Sequence, residues 1–298
     1  MTFARHSAKG TLLILSAALL WSTGGFFIKS ISLDGYAISF WRSSFAAITL
    51  FLFYRKIVPL EVRSVSSWLN PQTLLTAFVY SALLILFVLA TKLTTSANAI
   101  FLQFTAPIYV LFFEPIINKT KLRGKDVTAV LITIGAMILF FLGKFDASSV
   151  LGNILALTSG IFFAAYTLLL KHERTGEAGR WQSVIIGHIM IVTAMSILAL
   201  SGHMNPAPAS IGEFGMLLFL GVMQIGLPYS LFTIGIHSVS ALDALLLSMV
   251  EPVLNPVWVF IGIGEEPSGW ALIGGSIILS MVATRAWLAY RAISATAK

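Results

Sequence analysis

Charge is what this sequence lacks most. Asp, Glu, Lys and Arg make up 10% of its 298 residues, where a water-soluble domain carries roughly 25%. So few charges cannot solvate a surface, and most of the exterior must face something other than water. Cysteine is absent altogether, which excludes disulfides and thiolate metal sites and leaves the redox compartment unread. No G-x-x-x-x-G-K-[ST] stretch occurs, which argues against ATP hydrolysis within the chain. Neither H-E-x-x-H nor G-x-S-x-G is present, so the commonest membrane protease and esterase chemistries lack their residues. His172 and Glu173 are adjacent but have no second histidine one turn on. These gaps point away from an enzyme, a metal and any cofactor.

What is abundant is apolar. Hydrophobic residues are 57% of the chain and the mean hydropathy is +0.91. Apolar runs lie near 10–31, 36–58, 71–91, 96–117, 126–144, 149–171, 180–202, 210–236, 240–263 and 268–290. Each stays apolar for about twenty residues, the length of a membrane-spanning helix, rather than alternating over about ten as a barrel strand does. The expected fold is an all-α integral membrane protein of ten transmembrane helices. The first run follows Arg5 and Lys9 like a signal peptide, but its length and the spans behind it favour an uncleaved helix. The gaps at 92–96 and 236–240 read equally as tight turns or as interruptions within one long helix.

The net charge of +7 is a topology signal. With the N-terminus in the cytoplasm, fifteen of the nineteen Lys and Arg fall on the cytoplasmic side. Lys29, Lys92 and Lys144 fall outside, and Arg42 sits within a span. Such a lopsided split follows the positive-inside rule. It places both termini in the cytoplasm and leaves no basic patch for nucleic acid.

The chain also repeats. An offset of 142 lays Gly10–Ser16 on Gly152–Thr158 and Lys29 on Lys171. An offset of 145 lays Asn98 and Ala99 on Asp243 and Ala244, Pro107 on Pro252, and Gly124 on Gly269. The halves divide at 1–146 and 147–298, five helices each. Five is odd, so the second half enters the membrane from the opposite face. Inverted repeats have near-equivalent inward-open and outward-open packings, which is the plan of many secondary transporters.

Trp21–Gly24, Phe40–Arg42, Ala106–Pro107, Glu251–Pro252 and Gly264–Glu265 together resemble the drug/metabolite transporter superfamily, in particular the type with two EamA domains. The resemblance spans nearly the whole chain. It implies ten helices, cytoplasmic termini, a bacterial inner-membrane location and export or exchange of a metabolite. Within the superfamily the chain looks most like the bacterial aromatic and neutral amino-acid exporters of the YddG kind. Lys119–Lys121 departs from the pattern where a Gly-Glu pair would follow the fourth helix.

Polar groups inside spans are the first candidates for transport, because an ionisable residue in hydrocarbon is costly. Glu251 shares a broad helical stripe with Ser248, Asn255 and Trp258, beside Pro252 and Pro256. It reads as a contact for a substrate ammonium, a proton site, or an interhelical hydrogen bond. Arg42 reads as a helix bridge or as an attractor for a substrate carboxylate. His188 reads as an interhelical hydrogen-bonding group or as a proton-coupling residue. Gln103 and Gln224 suit either substrate or helix contacts. Trp21, Tyr80, Tyr166 and Tyr229 lie deep enough to line a pocket. Trp68, Trp181, Trp270, Trp287 and Tyr290 lie near span ends and read as interfacial anchors. Gly24, Gly25, Gly135, Gly160, Gly274 and Gly275 read as close-packing positions.

The combined expectation is a monomeric carrier of small zwitterionic or amphiphilic metabolites, amino acids foremost. Its partners would be the substrate and membrane lipid. Its central cavity would be lined by helices one, three, four, six, eight and nine. The competing readings are an exporter of cationic drugs or nucleotide sugars, an intramembrane enzyme, and a channel.

Overall fold

A computed structural model describes residues 8–63, 66–117, 119, 121–142, 149–263 and 269–296. Its membrane helices are α1 (Ala8–Ser30), α2 (Gly35–Ile57), α3 (Pro71–Leu93), α4 (Ser96–Ile117), α5 (Gly124–Phe140), α6 (Val150–Lys171), α7 (Gly176–Leu200), α8 (Ile211–Ser238), α9 (Ala241–Gly262) and α10 (Gly269–Thr296). Among the described residues, nine of these are long and apolar enough to cross a bilayer. The tenth, α5, has 17 residues, about 25 Å at 1.5 Å per residue. Leu12, Ile48, Leu52, Phe78, Leu131, Ile154 and Ile197 lie exposed on the outer faces. In water such a surface would be prohibitive; against lipid tails it is the ordinary exterior.

The two ambiguous gaps are tight turns. Thr94 is extended, and Thr95 then caps α4 by accepting from Asn98 N at 3.0 Å. One repeat later Val239 is extended, and Ser240 caps α9 by accepting from Asp243 N at 3.0 Å. A side-chain oxygen takes up one of the free amides at each new helix start.

The same offset fixes the inversion. Lys29 Nζ donates to Thr94 O at 2.7 Å, and Lys171 Nζ donates to Val239 O. Gly152, at the start of α6, abuts Leu93 and Thr94, while Gly10, at the start of α1, abuts Gly235 and Ser238. The start of α6 therefore lies at the end of the bundle where α1 finishes, and the start of α1 lies where α6 finishes. The halves run antiparallel, five helices each. Packing obeys the same symmetry: α1 lies on α8 as α6 lies on α3, α2 on its mate α7, and α5 on its mate α10.

Four helices are irregular near mid-depth, each for a readable reason. In α1, Ser22 Oγ donates to Leu19 O at 2.6 Å and Thr23 Oγ1 to Leu20 O at 2.8 Å. These hydroxyls compete with backbone amides, and α1 breaks at Ser22–Thr23 before Gly24 and Gly25. α4 breaks at Phe104–Thr105 just before Pro107, and α9 at Met249 before Pro252. Proline supplies no amide and crowds the preceding turn. α8 widens to a π-helical stretch, Leu220–Gly226, ahead of Pro228.

Two expectations change. Trp181 is no interfacial anchor, for it is buried at 2% exposure, one helical turn after the start of α7. Nothing lies within 4 Å of a Cβ built on Gly135, so this glycine permits no close contact. Gly160 and Gly274 do, facing Gln103 O and Ala136 O respectively. Trp270, Trp287 and Tyr290 are exposed as belt residues should be. Arg5, Thr120, Lys144, Gly264, Glu265 and Lys298 lie outside the described residues.

Candidate substrate cavity

All four irregularities point at one place. A cavity of about 30 Å³ is lined by Trp21, Arg42, Leu83, Leu84, Phe87, Gln103, Phe163, Gln224, Ile225, Tyr229 and Glu251. Trp21 is the last residue before the α1 break, Gln103 the last before that in α4, and Glu251 lies at the break in α9. Gln224 and Ile225 sit in the π-helical stretch of α8. Interruptions turn polar side chains inward at a depth where an unbroken helix would keep its backbone groups to itself. The volume admits a water or two, not an amino acid.

Arg42 is the largest fully buried side chain, at 1% exposure, and its Nε and Nη1 have no partner among the described residues. Glu251 lies on the same cavity at 6% exposure, and no ion pair joins the two. Trp21 Nε1 and Gln224 Oε1 are likewise buried without partners. Buried polar atoms are nearly always satisfied, so four unpartnered ones around one small space demand an account. Leu83, Leu84, Phe87, Phe163 and Ile225 make an apolar wall facing this polar set.

Behind Tyr229 lies a second layer. The ring of Tyr80 meets Tyr229 at 4.8 Å and Tyr166 at 4.9 Å, and Trp21 meets Tyr229 at 4.8 Å. Tyr80 Oη pairs with His188 Nε2 at 2.9 Å, joining α3 to α7. Tyr80, Tyr166 and His188 thus back the cavity rather than line it. Gln103 Nε2 donates to Ser159 Oγ at 3.3 Å, tying α4 to α6. Ser248 is not on the cavity: its hydroxyl donates to Ala244 O at 2.8 Å within α9. Its stripe-mates Asn255 and Trp258 reach the α1 break instead, at Ser22 O and Ser22 Oγ, both at 2.8 Å.

Sequence reasoning named Trp21, Gln103, Gln224, Tyr229, Glu251 and Arg42, and the fold collects these six. It omitted helix two from the lining, which Arg42 supplies. It also passed over the apolar wall, whose residues look like ordinary core. One signal was available: Phe163 is the repeat mate of Trp21 at the 142 offset. Among the described residues, no cluster of His, Cys, Asp or Glu could hold a metal ion.

The sequence profile of the EamA-like transporter family matches residues 8–142 and again 150–284. The chain belongs to this family. Relatives of this EamA-like chain include an uncharacterized transporter of Archaeoglobus fulgidus, 25% identical over 95% of this chain and 98% of the relative. The pseudopaline exporter CntI of Pseudomonas aeruginosa is 22% identical over 91% and 93% of the two chains. A biotin transporter of Escherichia coli is 24% identical over 67% and 68%. A solved crystal structure superposes with a TM-score of 0.74 over 95% of this chain and 98% of the other, at 20% identity, and shares the fold. This EamA-like chain is thus a multi-pass membrane transporter with a small-molecule substrate.

Proposed function

We propose that the protein is a secondary carrier that exports small zwitterionic metabolites, with aromatic or neutral amino acids as the favoured class. The observation that carries this reading is that Arg42, with two unpartnered donor atoms, and Glu251 line one buried cavity without an ion pair between them. Arg42 offers free donors for a carboxylate, and its planar fork suits that group. Glu251 offers an acceptor for an ammonium. Trp21, Tyr229, Phe163 and Leu84 offer apolar and aromatic surface for a side chain. The relative named as an exporter supports the outward direction. Alternating access follows from the inverted halves, 1–146 and 147–298, exchanging roles around the central cavity. The carrier acts as a monomer in a bacterial inner membrane, and the distribution of Lys and Arg supports cytoplasmic termini.

Counterflow of labelled leucine and phenylalanine into proteoliposomes tests the reading. Saturable uptake is expected in the wild type. Arg42→Ala and Glu251→Gln should each raise the half-saturation concentration by about tenfold to a hundredfold, as loss of a charged hydrogen bond would. Wild-type kinetics in both variants would remove these residues from the site. Counterflow of organic cations but not of amino acids would replace the substrate class.

A further inference from the structure

The α1 break is held by two side-chain amides from the other half of the molecule. Gln224 Nε2 of α8 donates to Trp21 O at 3.3 Å, and Asn255 Nδ2 of α9 donates to Ser22 O at 2.8 Å. Both carbonyls belong to the turn where α1 loses its own hydrogen-bond ladder, so the amides replace the missing backbone donors. Each amide also has a seat. A Cβ on Gly24 would stand 2.5 Å from Gln224 Nε2, and one on Gly25 would stand 2.6 Å from Asn255 Nδ2. The two glycines are therefore required by the two amides, pair by pair, and α1 is docked onto the second half at this point.

The two amides differ in their far ends. A carbonyl only accepts, so the orientation of Gln224 is fixed with Nε2 toward Trp21 O and Oε1 turned away. Gln224 is 2% exposed, lines the cavity, and its Oε1 has no partner. One side chain thus holds the hinge of α1 through Nε2, lines the cavity, and keeps Oε1 without a partner. Of this amide only Oε1 is left without any partner, on a side chain of the cavity wall, and an oxygen accepts. The π-helical stretch Leu220–Gly226 places it there, a widening of the kind often found at functional sites.

We infer that Gln224 is the specificity and coupling residue of this carrier. Its Oε1 accepts from an N–H or ammonium of the substrate, while its Nε2 holds the α1 break at Trp21 O. A donor at Oε1 polarises the amide and strengthens the bond that Nε2 makes, so occupancy of the cavity tightens the hinge. Substrates bearing a protonated amine are selected over those bearing a carboxylate alone. This inference rests on the zwitterion reading for its ligand, and not for its hinge.

Two arms of one experiment keep these apart, using the full chain in lipid nanodiscs and in proteoliposomes. The first needs no substrate: amide hydrogen exchange at residues 22–27 is compared between wild type and Gln224→Leu. About tenfold faster exchange in the variant is expected for one lost hydrogen bond at a helix break. Unchanged exchange there overturns the hinge role. The second arm compares counterflow of phenylalanine with that of 3-phenylpropionate, its analogue without the amine. The wild type should favour phenylalanine by about tenfold or more, and Gln224→Leu should narrow that preference severalfold while Glu251 still contacts the ammonium. A wild type that carries neither compound overturns the zwitterion reading and the ligand half with it. A wild type that discriminates alongside a leucine variant that discriminates equally well overturns Gln224 alone. Gln224→Glu separates the two ends. It keeps an acceptor on the cavity but lacks the amide donor, so it should retain the preference while exchange at 22–27 rises.

Discussion

Arg285 Nη1 lies 2.9 Å from Asp243 Oδ1, and the same nitrogen lies 2.9 Å from Asp126 Oδ1. One guanidinium thereby joins α10 to α9 and α5 at the end of the bundle where Lys171 sits. The repeat mate of Asp243 is Asn98, at the opposite end. There Asn98 Nδ2 donates to Asn153 Oδ1 at 3.0 Å and to Thr94 Oγ1 at 3.2 Å. Equivalent positions in the two halves thus carry charge at one end of the protein and neutral amides at the other. Arg285→Gln should lower stability by about 1–2 kcal/mol, between the values for exposed and for buried pairs. Thermal unfolding in detergent at low and high salt reads this, and the wild-type to variant gap should narrow with salt.

The antiparallel halves predict labelling from opposite sides. Ser30 and Arg174 are exposed just beyond or at the ends of α1 and α6, and the chain has no native cysteine to confuse the result. In intact cells an impermeant maleimide should label Ser30→Cys and should reach Arg174→Cys only after permeabilisation. Labelling of both from one side would break the inverted arrangement.

Glycines divide by what their Cβ would meet. Gly274→Ala pushes a methyl group against Ala136 O and Phe140 N, where α10 crosses α5, and should cost about 1–3 kcal/mol by overpacking. Gly135→Ala meets nothing within 4 Å and should gain about 0.5–1 kcal/mol through helix propensity. Melting temperatures of the two variants should therefore move in opposite directions.

Tyr80→Phe removes the hydroxyl from His188 Nε2 and leaves the rings around Tyr229 in place. The loss should be about 0.6–1 kcal/mol, as for other interhelical hydrogen bonds in membranes. Counterflow should persist, because Tyr80 backs the cavity without lining it. Abolished transport with unchanged stability would move the Tyr80–His188 pair into the transport mechanism.

Much of this molecule is legible one residue at a time. Lipid forces every spanning backbone to satisfy itself within its own helix, so ten apolar runs become ten helices without help from neighbours. The offset that pairs Lys29 with Lys171 reveals the duplication, and an odd helix count reveals its inversion. Pro107 and Pro252 announce the breaks in α4 and α9, since a missing amide is a property of the residue itself. Glu251 and Arg42 stand out because charge in hydrocarbon is rare.

Other features depend on what each residue meets. Ser248 and Glu251 share a helical stripe, yet they stand on opposite sides of the break at Met249 and only Glu251 reaches the cavity. Gly135 and Gly274 are the same letter with opposite surroundings. The break in α1 has no proline to mark it and arises from Ser22 and Thr23 bonding back to Leu19 and Leu20. Its repair by Gln224 and Asn255 spans more than two hundred positions. Local composition and periodicity determined the helices, their number and their handed repetition, because those follow from solvation by lipid. Tertiary structure alone decided which polar atoms face one another, because that depends on how broken helices from two antiparallel halves meet at the centre.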